Sequence, residues 1–343
     1  MIGQSKFLFD CKNWLRQLFG LPTQINFGFW KNFKGKKISV LAPMADVTDV
    51  VFRQMFVKYG KPDVLWTEFV SSDGLCSEGR EVLQKDLKFY EDERPIVAQL
   101  FSSNPNNMYK SARLCKELGF DGIDINMGCP DKSISGKQGA GSAMIKSPRL
   151  AQKVIKAAQR GAWPLPVSVK TRIGYNHIEI DSWIPALLKC NIPALSIHLR
   201  TKKELSLVPA HWELVESIRN EFAKSKKKTL FISNGDIFSY EIAQEKLQTY
   251  PIDGVMIGRG AFGNPWFFSG HIPTTEERLR TLVEHCKLFE RELGGIKSFA
   301  VMKKHFKAYA NGFDGAKELR VKLMEANSAD EVGRVISEFT STQ

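Results

Sequence analysis

Between residues 38 and 257 the chain repeats one pattern eight times, a short apolar run followed by a longer amphipathic stretch. The runs fall at 38–43, 64–69, 96–101, 122–126, 167–171, 194–198, 229–233 and 254–257. Runs this short read as strands buried on both faces, and the stretches between them as covering helices. That predicts repeated βα units around a parallel sheet. Eight units in about 220 residues predict an α/β fold of the (β/α)8 barrel type, in which functional side chains sit at the C-terminal ends of the strands. A doubly wound open sheet is the structural alternative.

The fourth run is the most informative. Ile123 and Ile125 alternate with Asp124 and Asn126, and the chain then enters a loop marked by Gly128, Pro130, Gly136, Gly139 and Gly141. Cys129 stands between Gly128 and Pro130, where neither a regular helix nor a central strand can continue. A lone cysteine is usually a small core side chain, but this position presents a thiol on a loop and makes Cys129 the candidate catalytic residue. The six cysteines, at 11, 76, 115, 129, 190 and 286, form no CxxC pair and no spacing with histidine. Neither a disulfide framework nor a metal site is expected, and a reducing cytosol fits best.

Other strand ends bring a ring of polar groups: Pro43 and Met44, Gln99, Asn126, Lys170 and Arg172, His198 and Arg200. The seventh gives Asn234, Gly235 and Asp236, and the eighth Gly258, Arg259 and Gly260. Gln99 offers both a donor and an acceptor, as an imide edge requires, and Lys170 offers a cation for charge that develops on a reduced ring. Glycine turns after the last two strands of a barrel are a recurrent phosphate site. The ring suits flavin mononucleotide. Taken singly, each residue reads as a cap, an ion pair or a core histidine; their succession at strand ends favours function. The string 258–263 also fits GxGxxG, but Asn264-Pro265 disfavours a helix running straight on, so a phosphate turn is the better reading.

The 49 Lys and Arg against 37 Asp and Glu leave a net charge of +12, which asks for an acidic partner. Clusters at 31–37, 224–228 and 297–322 point to a nucleic-acid backbone. The last cluster lies in a helical region from 272 to 343. A capping box at Thr274 and Glu277 opens it, and apolar stripes follow at 279–293 and 299–309 and after Ser328. Its middle helices expose Lys303, Lys304 and Lys307. Residues 1–37 form an N-terminal extension whose first twenty could make a short amphipathic helix; no apolar stretch is long enough to span a membrane.

These residues carry a resemblance to the tRNA-dihydrouridine synthase family, in its bacterial branch. It covers roughly residues 38–340 through APMADVTDVVFR, VAQLF, DINMGCPDK, GAGSAM, VKTRIG, HLRT, ISNGDI and IGRGAFGNPW, with MKKHFKAYANGFDGAKELR among the last helices. It implies reduction of the C5–C6 bond of chosen uridines in tRNA by FMN, itself reduced by NADPH or NADH. It implies also that Pro43, Met44, Ala45, Gln99, Lys170 and His198 surround the flavin, and that Asn234, Gly235, Asp236, Gly258 and Arg259 hold its phosphate. Cys129 matches the acid that protonates C5. Asn126, Arg172 and Arg200 match positions that hold uracil, and Lys303, Lys304 and Lys307 fall in the tRNA-binding part. A cytoplasmic monomer is expected. The match weakens after strand six, where a Gly, a Tyr-x-Gly and an Asp before Trp give way to Leu199, Ser206-Leu207-Val208 and His211. Two other readings compete: a small-molecule FMN oxidoreductase of the dihydroorotate dehydrogenase type, which has no need of the basic helices, and a tRNA binder with an inactive barrel, which has no need of Cys129, Lys170 and Gln99.

Overall fold

The computed structural model describes residues 24–341; the amphipathic helix read in the first twenty residues lies outside them. Eight parallel strands form one sheet: β1 Ile38–Leu41, β2 Leu65–Ser71, β3 Ile96–Phe101, β4 Gly122–Met127, β5 Val167–Arg172, β6 Ala194–His198, β7 Leu230–Asn234 and β8 Gly254–Ile257. Their order is β1-β8-β7-β6-β5-β4-β3-β2. The two ends meet where Asp63 N–H donates to Ser39 C=O (3.0 Å) and Leu41 N–H to Val64 C=O (3.4 Å), so the sheet closes into a barrel. An open doubly wound sheet is thereby excluded. Each expected strand is present within a few residues; β1 ends at Leu41, before Pro43, whose missing N–H cannot continue a ladder.

Helices follow the strands: α1 Val50–Tyr59, α2 Ser72–Leu75, α3 Arg80–Gln84, α4 Pro105–Glu117, α5 Pro148–Ala162, α6 Ile180–Leu188, α7 Val215–Lys224 and α8 Tyr240–Thr249. Local chemistry fixes where they begin. Asp49 accepts from Phe52 N–H at the start of α1, and Asn104 caps α4 just before a proline at its first position. Outward strand residues such as Ile123, Ile125, Val169 and Ile197 pack under these helices in the main core. Inward residues such as Val40, Trp66, Val97, Ile232 and Met256 fill the barrel's lower half around Trp30. Trp30 comes from a 3-10 turn at Gly28–Phe33, so this stretch of the N-terminal extension plugs the barrel floor.

Four more helices complete the chain: α9 Thr275–Leu293, α10 Lys303–Tyr309, α11 Ala316–Glu325 and α12 Ala329–Ser341. The expected capping box opens α9, with Glu277 N–H on Thr274 Oγ1 (3.1 Å) and Thr274 N–H on Glu277 Oε2 (2.7 Å). Leu282, Cys286, Phe289, Phe306, Leu323 and Val332 make a second core, which Val50 and Val51 of α1 join. Gly263, at φ +63°, sits so close to α10 that a Cβ there would meet the Ala308 backbone at 2.4 Å. The third glycine of the GxGxxG string is thus required for docking α10, and no phosphate need be invoked for it. Among the described residues no helix is long and apolar enough to cross a membrane, and no cluster of three His, Cys, Asp or Glu could hold a metal.

Candidate active site at the barrel mouth

Strand parity decides which side chains enter the barrel. Two residues beyond Val97, Ile232 and Met256 of the lower layer come Gln99, Asn234 and Gly258. The register sets Gln99 level with Asp124, Asn126 with Lys170, Arg172 with His198, and His198 with Asn234. The predicted ring therefore assembles from five successive strands.

Cys129 lies half-buried where β4 hands over to its loop. Both ends of its backbone are tied: its N–H donates to Asn126 Oδ1 (2.9 Å), and its C=O accepts from Ser142 N–H (3.0 Å). Gly141, at φ +54°, explains the GAGSAM string, since a Cβ there would stand 2.9 Å from the Cys129 carbonyl oxygen. Burial pushes the Cys129 thiol up from its ordinary value, against smaller pulls from Arg172 and Lys170. The thiol is protonated at neutral pH, the state a proton donor needs.

Lys170 points its Nζ toward Asn234 Oδ1 (3.4 Å), while Asn234 Nδ2 donates to Met256 C=O (2.7 Å). Burial, with Arg172 adding repulsion, brings the Lys170 ammonium down to about 8. His198 is held well below its usual range, mainly by burial and then by the surrounding cations, and so is neutral. Its Nε2 faces Arg200 Nη1 at 3.1 Å; because a guanidinium only donates, Nε2 accepts and Nδ1 carries the proton.

Arg172 and Arg200 are placed differently from the other ring members. Arg172 donates to the carbonyls of Gly128 (2.8 Å), Thr201 (3.0 Å) and Leu205 (2.9 Å), clamping the Cys129 loop to the loop after β6. Arg200 is buried against Asp236 and donates from Nε to Val208 C=O (2.6 Å). Asp236 also pairs with the exposed Arg259 (3.1 Å) and accepts from Ala210 N–H (2.8 Å). The divergent loop between Leu199 and His211 is thus anchored by two arginines, and His211 in it pairs with Glu204 (3.0 Å).

A cavity of about 150 Å³ opens above β7 and β8, bordered by Met44, Lys170, His198, Asn234, Gly258 and Arg259. Pro43, Gly235 and Asp236 also line it. Ala45 follows Met44 in the turn after β1, where Thr48 N–H and Val47 N–H close on Met44 C=O. The C-terminal helices reach this turn, Lys304 Nζ donating to Asp46 C=O and Lys297 pairing with Glu68 (2.8 Å) and Asp86 (3.0 Å). Lys303 caps the end of α11 on Met324 C=O (2.8 Å), and Lys307 lies exposed.

Sequence reasoning misses one member of the site, Asp124. It is fully buried, holds Ser168 Oγ and Gln99 Nε2 at 2.6 Å each, and burial pushes its carboxyl up to about 6. A signal exists in the chain: a carboxylate on the inward parity of a strand with no room for water needs partners.

An enzyme that holds a flavin against the strand ends of a (β/α)8 barrel is the class these features define. Residues 40–342 match the family model described as dihydrouridine synthase. The chain is 41% identical over 316 residues to a probable tRNA-dihydrouridine synthase of Staphylococcus aureus (strain COL), spanning 91% of this chain and 95% of that protein. It is 42% identical to probable tRNA-dihydrouridine synthase 2 of Bacillus subtilis (strain 168), spanning 91% and 96%. The chain belongs to the dihydrouridine synthase family. Among solved structures, a 2-naphthoyl-CoA reductase bound to 2-naphthoyl-CoA shares the fold, with a TM-score of 0.50 over 67% of this chain and 49% of that one at 9% identity.

The donor groups at the mouth suit a flavin's anionic end. Lys170, Arg172, Arg200 and Arg259 surround His198 there, with Asp124, Asp236 and Glu204 as carboxylates beside them. Such a cationic excess suits an anionic ligand, and the backbone of Gly235 and Gly258 beside Arg259 suits its phosphate.

Proposed function

We propose that this chain reduces the C5–C6 bond of uridines in tRNA, with FMN as its flavin, NADPH or NADH as reductant and Cys129 as proton donor. The observation that carries the reading is a protonated thiol held by its backbone at the rim of a cationic mouth. When bound, the flavin supplies the hydride that adds to C6 of uracil. Met44, Gln99, Lys170 and His198 would border its ring, Lys170 offsetting negative charge and neutral His198 contributing no further cation. Asn234, Gly235, Asp236, Gly258 and Arg259 would hold its phosphate end. Cys129 Sγ–H would donate to C5, and Asn126, Arg172 and Arg200 would shape the uracil site, the two arginines chiefly by fixing its walls.

Residues 38–271 would form the catalytic part and 272–343 the tRNA-binding part, acting together in a cytoplasmic monomer. The target base must leave the stack to reach the mouth, at a cost of roughly a few kcal/mol. Exposed cations of α10 and α11, Lys307 and Lys317 among them, would offset it through backbone phosphates. Lys303 and Lys304 act first within the protein, on Met324 and Asp46.

One consequence concerns pH. Lys170 carries its charge below about pH 8 and loses it above. Flavin affinity of the flavin-free protein should therefore fall as pH rises through about 8, and Lys170→Met should bind weakly with no such step; fluorescence titration measures both. The overall reading is tested by mapping dihydrouridine on unmodified tRNA incubated with the protein, FMN and NADPH. Site-specific product supports it. If flavin consumes NADPH while every tRNA stays unreduced, a small-molecule oxidoreductase takes its place.

A further inference from the structure

Behind Cys129 runs an unbroken line of hydrogen bonds. Ser168 Oγ–H and Gln99 Nε2–H donate to the two oxygens of Asp124, each at 2.6 Å. Asn126 Nδ2–H donates to Gln99 Oε1 (3.1 Å). Gly128 N–H (3.0 Å) and Cys129 N–H (2.9 Å) donate to Asn126 Oδ1. Every link is buried or nearly so, and Asp124 and Gln99 are wholly shielded from solvent.

The two ends of this line have fixed polarity. A carboxylate only accepts and backbone N–H groups only donate, whereas the two amides between them work in either orientation. With Asp124 ionised, Gln99 must turn its NH2 toward it, which leaves Oε1 for Asn126, which in turn leaves Oδ1 for the loop. We propose that Asp124 is a positioning residue: its charge, in register with the backbone N–H groups at the far end, polarises this line and strengthens the acceptor that holds the Cys129 backbone. The proposal deepens the reading of Cys129 as proton donor and rests on it for its catalytic meaning.

Asp124→Asn removes the charge with little change of shape. The line keeps its direction, held by the backbone N–H end, but a neutral amide oxygen replaces the ionised acceptor at its head, so every bond along it is more weakly polarised. The grip of Asn126 Oδ1 on the Gly128 and Cys129 N–H groups loosens, leaving the loop to the Ser142 bond on the Cys129 carbonyl and the Arg172 bond on the Gly128 carbonyl. Protonation of Asp124 acts the same way by removing its charge. Facing it are Gln99 on β3 and Ser168 and Lys170 on β5, all of which favour the ionised form, against burial, which holds the carboxyl up to about 6.

The experiment is hydrogen exchange of the Gly128 and Cys129 amides in the full chain, expressed as protection factors, without tRNA. Wild-type protection should fall as pH drops through about 6. Asp124→Asn should lower it roughly tenfold at neutral pH and abolish that pH step. Asp124→Asn combined with Gln99→Glu should restore it, because a carboxylate at position 99 accepts both from the new amide at 124 and from Asn126 Nδ2. Unchanged protection in Asp124→Asn overturns the proposal, as does failure of the double variant to restore it. Should the single variant not fold, the double variant decides alone: wild-type protection supports the proposal, and exposure or failure to fold overturns it. No substrate enters this readout, so its failure leaves the reduction of uridine to be judged by the mapping of dihydrouridine.

Discussion

Cys129→Ala is expected to keep its flavin and to bind tRNA, yet to reduce uridine roughly 10²–10⁴-fold more slowly, the range that a positioned general acid supplies. The contacts that hold the loop reach the backbone of residue 129, from Asn126 and Ser142, so they survive removal of the sulfur. The side chain packs only at the edge of a small cluster of Phe101, Ile134 and Ala140, and little burial is lost. Only the proton goes. Cys129→Ser should be nearly as slow, since a hydroxyl is a far weaker acid than a thiol. The measurement is the single-turnover rate at which tRNA reoxidises the reduced flavin; a rate within a fewfold of wild type in either variant would assign the proton to another group.

Arg53→Met should cost about 3–5 kcal/mol of stability, a large part of what a chain this size has. Arg53 is fully buried; its Nε pairs with Glu93 Oε2 at 2.5 Å, and its Nη groups donate to Thr48 C=O (2.6 Å) and Lys88 C=O (2.7 Å). Removing it leaves the Glu93 carboxylate in the interior without its cation, and two carbonyls without donors. Glu93→Leu added to Arg53→Met should recover a substantial part, because the stranded charge is then gone as well. Denaturant unfolding of the three variants provides the comparison. Thr48 also bonds the Met44 backbone at 3.0 Å, so weaker flavin binding should accompany the loss of stability. Equal stability of Arg53→Met and wild type would mean that water reaches Glu93.

Most of the barrel was legible because each strand is a short, largely apolar run bounded by turn residues, a pattern strong enough to place all eight. The ring of Gln99, Asn126, Lys170, His198 and Asn234 was legible for the same reason, since each stands at a strand end on the inward parity. Three things were hidden. Arg172 and Arg200 read as ligand-facing cations, and only the path of the loop after β6 reveals that carbonyls of Thr201, Leu205 and Val208 receive them. Lys303 and Lys304 read as a free basic face, but their carbonyl acceptors come from segments distant in sequence. Asp124 was overlooked because its partners Gln99 and Ser168 belong to neighbouring strands, and such pairing is a property of register rather than of any local string.

The core shared between α1 and the last helices has a meaning for how such a protein can be altered. Val50 and Val51 lie among Leu282, Phe306 and Leu323, while the His305 ring stacks on Phe262, 5.7 Å between centroids, and stands 5.5 Å from Phe52. The seam between the barrel and the last helices is therefore interior, not a hinge between two finished surfaces. Ending the chain near residue 271 would bare an oily flank of the barrel, and grafting on another relative's tail would need matching changes in α1 and around Gly263. The two parts are built to be inherited together.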